Sequence, residues 1–389
     1  MLDIDFIINE LGEDRELDVY SIAPPLYQTA MMGSKTVADM RLAIREEAQK
    51  PFYTRGQNLT TDILRKKIAA LEGAEDALVF ASGSAAVAAG ILSNLQSEDH
   101  IVSVRKPYSW TNKLLTVFLP RFGIQTTFVD GRDSQNFAQA IQKNTKLFFL
   151  ESPNSWTFEL QNLAEIAKIA QNHQILTMID NSYATPLYQR PIEMGIDLVV
   201  HSATKYISGH SDAMAGILCG KKSYLEKVFF AEYMTLGGII SPFNAWLLLR
   251  GLRTLPVRMK QISETTEKVV QYLENHPKIN KVYHPFSPSH PQYNLAKTQM
   301  QNASGLFTIE IKADSIKEIE QICNRLKRFL MAVSWGGYES LIFPACVFYQ
   351  DENQAPSDLT WNMVRVAIGL ESAEVLIKDW EEALGGYSF

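Results

Sequence analysis

The chain has 389 residues, too long for one simple core, so two or three domains are expected. Hydrophobic residues make up 46% and charged residues 21%, the balance of an ordinary soluble globular protein. Lysine and arginine number 37 against 43 acids, and the resulting charge of −6 argues against nucleic acid or an anionic membrane surface as the main partner.

Residues 1–50 read as an irregular arm with one amphipathic helix over 36–49. Pro24 and Pro25 stop any helix from running through it. The start, Met1-Leu2-Asp3-Ile4-Asp5-Phe6, is acidic and has no basic region ahead of an apolar core, so it is not a secretory signal. An arm of this kind packs on something else, and another subunit is one candidate. Tyr53 and Arg55 follow in a loop. In an extended segment they share one side, where a guanidinium and a hydroxyl suit a phosphate. A local salt bridge is the plainer alternative. Thr60 or Thr61 is a candidate cap for a helix over 62–72, with Leu64, Ile68 and Leu71 on its apolar face and Gly73 as its stop.

Short apolar strands then recur at 77–81, 101–104, 126–129, 146–150, 175–180 and 198–201, with helical segments such as 162–172 between most of them. That alternation predicts an α/β fold with a mostly parallel central sheet and helices on both faces. Ligands of such sheets sit beyond the carboxyl ends of the strands, so the residues at those ends are the candidates. After the first strand come Ser82, Gly83 and Ser84, small residues at a helix start that favours an anion. The stretch is neither a G-x-G-x-x-G fingerprint nor a P-loop. Tyr108 follows the second strand, Glu151-Ser152-Pro153-Asn154 the fourth and Asp180 the fifth. The sixth runs into Ser202-Ala203-Thr204-Lys205-Tyr206. A lysine just off a buried strand loses hydration, which lowers its pKa and frees the amine as a Schiff-base nucleophile. An isolated lysine is more often a surface charge. A second strand end bearing Asp180 shifts the balance, because a lysine for the imine and a carboxylate for the pyridine nitrogen are what pyridoxal 5'-phosphate (PLP) needs.

A long linking helix is expected over 241–274, bent or broken near Gly251 and Pro256. Beyond it lies a smaller α+β unit, with strands over 305–311 and 363–368 and helices over 315–329 and 372–384. His284 and His290 sit in a proline-rich loop without nearby acids, which argues against metal. Ser334-Trp335-Gly336-Gly337-Tyr338-Glu339-Ser340 is a glycine-hinged aromatic loop. Arg365, inside an apolar strand, is costly to bury unless paired. A substrate carboxylate and an internal acid are the two candidate partners. Cys219, Cys323 and Cys346 are scattered without a C-x-x-C pair and fit a reducing compartment, supporting neither a disulfide framework nor a metal site. No apolar run reaches the length of a membrane span. The cytoplasm is the expected location.

Taken together, these motifs resemble the PLP-dependent enzymes of cysteine and methionine metabolism, the cystathionine lyase and synthase family of fold type I (aspartate-aminotransferase-like). The resemblance runs from about residue 20 to 384. Its most specific parts are Ser202-Ala203-Thr204-Lys205-Tyr206 with Gly209-His210-Ser211-Asp212, then Arg250-Gly251-Leu252-Arg253-Thr254-Leu255 with Arg258, and the Ser334 to Leu341 loop. It implies PLP on Lys205, which also serves as acid and base. It implies Asp180 at the pyridine nitrogen and Tyr108 stacked on the ring, where it is also a catalytic residue that assists proton movement, its hydroxyl near Lys205 in the free enzyme. Gly83, Ser84, Ser202 and Thr204 would hold the phosphate. Tyr53 and Arg55 would reach the phosphate in a neighbouring subunit, which implies a homo-oligomer, a dimer of active dimers. Ser334 and Arg365 would hold the substrate α-carboxylate, with Trp335 lining the pocket. The implied organisation is an arm over 1–58, a PLP-binding large domain over 59–255 and a small domain over 256–389.

Within the family the Ser-Trp-Gly-Gly-Tyr-Glu-Ser loop resembles bacterial cystathionine β-lyases, whereas γ-lyases and γ-synthases more often carry Leu at position 335. The expected reaction is β-elimination of L-cystathionine, an amino-acid thioether, to homocysteine, pyruvate and ammonia. A γ-type member, whether γ-synthase, γ-lyase or sulfhydrylase, is the alternative. A nucleotide-binding α/β protein without PLP is a third, disfavoured by the missing dinucleotide fingerprint. Asn244 replaces a common Asp, Ser84 a more usual Met or Ala, and the segments at 53–60 and 151–155 lack the γ-type Asn-Pro pattern. None of these changes removes a catalytic group.

Overall fold

The computed structural model describes residues 3–351 and 359–385. Residues 1–2 of the expected arm, and 352–358 and 386–389 of the expected small domain, lie outside the described residues. Two sheets organise the rest. The first contains β1 (Asp76–Phe80), β2 (His100–Val104), β3 (Gln125–Val129), β4 (Thr145–Glu151), β5 (Leu176–Asp180), β6 (Leu198–His201) and β7 (Gly216–Gly220), in the order β1-β7-β6-β5-β4-β2-β3. All neighbouring pairs are parallel except those that β7 makes with β1 and β6. The strands β2, β6 and β7 are buried along their whole length, which is why they read as unbroken apolar runs rather than alternating ones. The strand β7 was not among those expected from the sequence. Its apolar run carries no mark of direction, yet it crosses between β1 and β6 against both. There Gly216 passes so close that a Cβ would lie 2.0 Å from the Ser82 carbonyl oxygen.

The second sheet contains β8 (Ile279–Tyr283), β9 (Leu306–Ile311), β10 (Leu330–Met331), β11 (Leu341–Pro344) and β12 (Met363–Ala367), in the order β10-β11-β12-β9-β8. Two of these five strands were expected from the sequence; β8 is half-polar, and β10 and β11 are only two and four residues long. Phe307, Ile309, Ile311, Val364 and Val366 enter one core with Trp380 of the helix Ala373–Leu384. Alternation along β12 turns Arg365 to the opposite face.

Local details depart from the sequence reading in instructive ways. Asn58, not Thr60 or Thr61, caps the helix Leu59–Glu72, its Oδ1 accepting from Thr60 N at 2.9 Å. The Thr60 hydroxyl instead accepts from Tyr27 N and donates to Pro25 O, tying the arm to this helix. Residues 53–57 form a turn, with Gly56 N and Gln57 N both donating to Tyr53 O, rather than an extended segment. The arm helix is Val37–Arg45, shorter than expected.

The linking segment forms two helices, Pro242–Arg253 and Leu255–Glu274, parted at Thr254. Pro256 causes no break, because it sits in the first turn where no backbone donor is needed. Gly251 lies inside the first helix for a packing reason. A Cβ there would fall 2.4 Å from Ser208 O and 2.6 Å from Ile207 O. From the second helix Arg258, 4% exposed, donates to Tyr206 O and Gly251 O, each at 2.8 Å, and to Thr254 Oγ1 at 3.0 Å. Burial pulls its pKa down to about 10, so it stays charged at neutral pH. Replacing Arg258 with Met strands the Tyr206 carbonyl, while Gly251 O still accepts from Thr254 N and Oγ1, and lowers stability by about 1–3 kcal/mol. Urea unfolding of the purified variant measures this, and a loss below about 0.5 kcal/mol would show that the clamp carries no load.

Candidate active site

The carboxyl ends of β2, β4, β5 and β6 lie on one edge of the large sheet, as their parallel registers require, and that of β1 joins them because β7 runs antiparallel to both β1 and β6. The chain after β1 turns at Ser82, whose hydroxyl caps the helix Gly83–Leu92 by accepting from Ala85 N. The amides of Gly83 and Ser84 lie in the first turn, where no intrahelical partner exists. Ser202, just past β6, lies against this helix start. A Cβ on Gly83 would lie 2.9 Å from Ser202 Cβ and 3.1 Å from its hydroxyl, so only glycine leaves the space. Two free amides and a hydroxyl therefore converge on one small cradle suited to an anion. The Thr204 hydroxyl is engaged by the Ala215 backbone, accepting from its N at 3.0 Å and reaching its O at 3.3 Å.

Lys205 is held from the second sheet. Its Nζ donates to Ser334 Oγ at 2.9 Å and lies 5.4 Å from the centroid of the Trp335 ring. The loop can come this near because Gly336 has φ +83°, and a Cβ there would meet Tyr206 N at 2.8 Å. Burial lowers the Lys205 pKa to about 8; the Arg365 charge adds to the effect and Asp180 opposes it. A buried amine that loses its proton near neutrality is the form needed for nucleophilic and base chemistry. Among the described residues no hydrogen bond joins the Tyr108 hydroxyl to Lys205. The amine's bond goes to Ser334, which is near because the aromatic loop folds back over it.

Asp180 ends β5 and accepts from Ser182 N at 2.9 Å. Tyr108, 44% exposed, follows β2, and its backbone N donates to Glu151 Oε2 at 2.6 Å. Burial and the Asp180 charge raise the Tyr108 pKa. Arg365 has no carboxylate partner among the described residues. Its guanidinium packs 5.2 Å from the Phe343 ring and 5.5 Å from Trp156, and donates to Val333 O. Burial lowers its pKa to about 10. The internal acid that would explain this arginine structurally is absent among the described residues, which leaves a cationic group available to an incoming carboxylate.

Tyr53 and Arg55 do not join this cluster. Both are exposed, with Arg55 lying 5.3 Å from the Tyr53 ring centroid, and neither bonds to Lys205, Asp180 or Ser202 among the described residues. The sequence marked Arg258 only as part of the resemblance and gave it no role, though it holds the carbonyl next to Lys205, and it did not single out Glu151 from its strand end. A glutamate after an apolar strand looks like any solvated acid until its burial is known.

A family model described as Cys/Met metabolism PLP-dependent enzyme matches residues 7–385. An L-methionine γ-lyase of Treponema denticola is 38% identical over 373 residues, covering 94% of this chain and 92% of that protein. A cystathionine β-lyase of Coxiella burnetii is 38% identical over 339 residues, covering 85% and 87%. Among solved structures, an O-acetylhomoserine (thiol)-lyase candidate from Campylobacter jejuni superposes with a TM-score of 0.90 at 28% identity, covering 99% of this chain and 100% of that one, and one of its lysines carries the phosphopyridoxyl group. The residues of this chain fit that cofactor. The cradle closed by Gly83 takes a phosphate, Asp180 faces the same crevice with an uncommitted oxygen, and the Lys205 amine is half-buried with a lowered pKa.

In the cofactor-free protein, Lys205 is expected to titrate near pH 8, against about 10.5 for an ordinary lysine. Its folded pKa lies below the unfolded one, so the group opposes folding below pH 8 and ceases to do so as pH rises through 10.5. Asp180→Asn removes an attraction that favours the ammonium and moves the midpoint down; Arg365→Leu removes a like charge and moves it up. The pH dependence of Lys205 reductive methylation, read by mass spectrometry, measures this. A midpoint near 10.5, or shifts of opposite sign, would contradict the electrostatic account.

Proposed function

The chain belongs to the Cys/Met metabolism family of PLP-dependent enzymes, and we propose that within it the protein is a carbon–sulfur lyase that cleaves the Cβ–S bond of L-cystathionine. The fold is fold type I and the cofactor is PLP. When bound, PLP supplies an electron sink that acidifies the Cα–H of an attached amino acid. The chain's own residues do the rest in this reading. The Gly83 and Ser84 amides and the Ser202 hydroxyl would grip the phosphate, and the Thr204 hydroxyl would join them by turning its hydrogen away from Ala215 O. Asp180 holds the proton on the ring nitrogen, and Tyr108 covers the ring face. Arg365 and Ser334 receive the α-carboxylate, which fixes the Cα–H toward the Lys205 amine. That amine, poised near pH 8, takes the proton and later returns one to the departing sulfur. Ser334 and Trp335 keep it in place between these roles. Homocysteine leaves as the thiol, and one water hydrolyses the remaining three-carbon enamine to pyruvate and ammonia.

The observation that carries the β reading is Trp335 packed 5.4 Å from the Lys205 amine, at a position where γ-type members more often have Leu. A second reading, γ-elimination, is favoured by the similarity to an L-methionine γ-lyase over nearly the whole chain. A γ route needs a further proton taken from Cβ and yields 2-oxobutyrate instead of pyruvate. The organisation into arm, large and small domains is part of the proposal, and so is the oligomer. The arm leaves Val19 and Ile22 89% and 83% exposed, apolar surface that a second copy would cover while bringing Tyr53 and Arg55 to its neighbour's phosphate. An enzyme fully active as a monomer would contradict that assembly.

Assays of the purified enzyme with L-cystathionine and L-methionine are expected to give pyruvate from the first and at least tenfold slower 2-oxobutyrate release from the second. Lys205→Ala is expected to keep the fold and lower kcat by at least 10³-fold. Predominant 2-oxobutyrate would replace the β reading with the γ one, and normal turnover by the Lys205 variant would overturn both.

A further inference from the structure

Glu151 ends β4 and is the register partner of Asp180 on β5, so the two side chains leave the same face of the sheet. Neither carboxylate forms an ion pair with a lysine or arginine among the described residues. Glu151 is the more buried, 7% exposed, and it takes hydrogen bonds from Tyr108 and from both the side chain and the backbone of Ser155. It accepts from Tyr108 N at 2.6 Å and pairs with the Ser155 hydroxyl at 2.7 Å. Its own backbone N donates to Gln161 Oε1 at 3.1 Å. Among the described residues Asp180, half-buried at its strand end, accepts a hydrogen bond only from the Ser182 amide, at 2.9 Å. Two adjacent carboxylates without a cation cannot both stay charged cheaply, and the deeper one gives up its charge first.

We propose that Glu151 is a neutral positioning residue, which fixes the backbone at Tyr108 and so the height of the tyrosine ring over the cofactor, while leaving Asp180 as the one carboxylate charge on that face. A protonated Glu151 keeps its contacts with Tyr108 and Ser155. One oxygen still accepts the Tyr108 amide, and the other gives its hydrogen to Ser155 Oγ, since a serine hydroxyl serves as donor or acceptor. The titration agrees in direction, with burial and then the Asp180 charge pushing the Glu151 pKa up to about 8. The other ionisable groups facing this pair are the Tyr108 hydroxyl and, further off, Lys205 and Arg365. The role differs from that of Asp180, which would touch the cofactor itself. Glu151 acts through the Tyr108 backbone.

This inference rests on the proposed contacts of Tyr108 and Asp180 with PLP. The test compares Glu151→Gln, Glu151→Leu and Tyr108→Ala with the native chain. Each cofactor-free protein is titrated with PLP, reading absorbance and induced circular dichroism, and the loaded forms are assayed for kcat and KM. The Gln amide accepts the Tyr108 amide and donates to Ser155, so that variant is expected to bind PLP within about threefold of native and keep the dichroism. Leu fills the space without bonds and is expected to weaken PLP binding at least tenfold, lowering kcat more than it raises KM. A Gln variant as impaired as a tenfold loss would show that the charge is needed, and a Leu variant binding like native would show that no positioning is done. Either result overturns the proposal. If Leu fails to fold, the Gln arm alone decides it. Tyr108→Ala with native PLP affinity would locate the failure in the Tyr108 assignment rather than in Glu151.

Discussion

The structure depends on how closely the backbone around Lys205 is gripped. Arg258, deeply buried, donates to Tyr206 O and to Gly251 O, so one guanidinium ties the lysine turn to the linking helix. Gly251 lets that helix approach Ser208, and Gly336 lets the aromatic loop approach Tyr206 from the other side. Each of these contacts is backbone against backbone or guanidinium against carbonyl, which tolerates no added atom. A lysine on a loose loop would hydrate its ammonium and keep an ordinary pKa. Held between two packed elements, it cannot.

The same grip joins the two sheets into one site. The large sheet supplies Asp180 and the helix start at Gly83 from strand ends, while the small sheet supplies Arg365 from β12 and Ser334 from the loop before β11. Alternation in β12 puts Val364 and Val366 in the core behind and leaves Arg365 facing the crevice. Charge then does the tuning. Arg365 and Asp180 act on Lys205 in opposite directions, with burial dominating both. The cation that would raise the cost of an ammonium is thus the group suited to a substrate carboxylate, and its neutralisation on binding would favour the protonated amine.

Much of this was legible in the residues. The strand ends were, because a sheet covered on both faces forces continuous apolar runs, and the polar residues that end them stand out at Asp180 and Lys205. Arg365 was, because an arginine among valines has to be accounted for. Other features were hidden for physical reasons. Gly251 reads as a helix breaker, whereas it is a contact point, and nothing local says which. The cap fell to Asn58 because Thr60 was taken by the arm, a contact 33 residues away. The direction of β7 follows from how the sheet closes, not from Gly-Ile-Leu-Cys-Gly. His201, the last residue of the strand that leads to Lys205, meets Glu72, 129 residues away, at 2.8 Å, and neither residue type in its own segment points to the other.

The central claim is that this grip makes Lys205 the residue that carries PLP. Reducing the holoenzyme with borohydride, digesting it and locating the phosphopyridoxyl mass by tandem mass spectrometry tests it directly. The account predicts the label on the peptide containing Lys205, with stoichiometry near one per chain. A label on another lysine, or none on a chain that remains active, would contradict it.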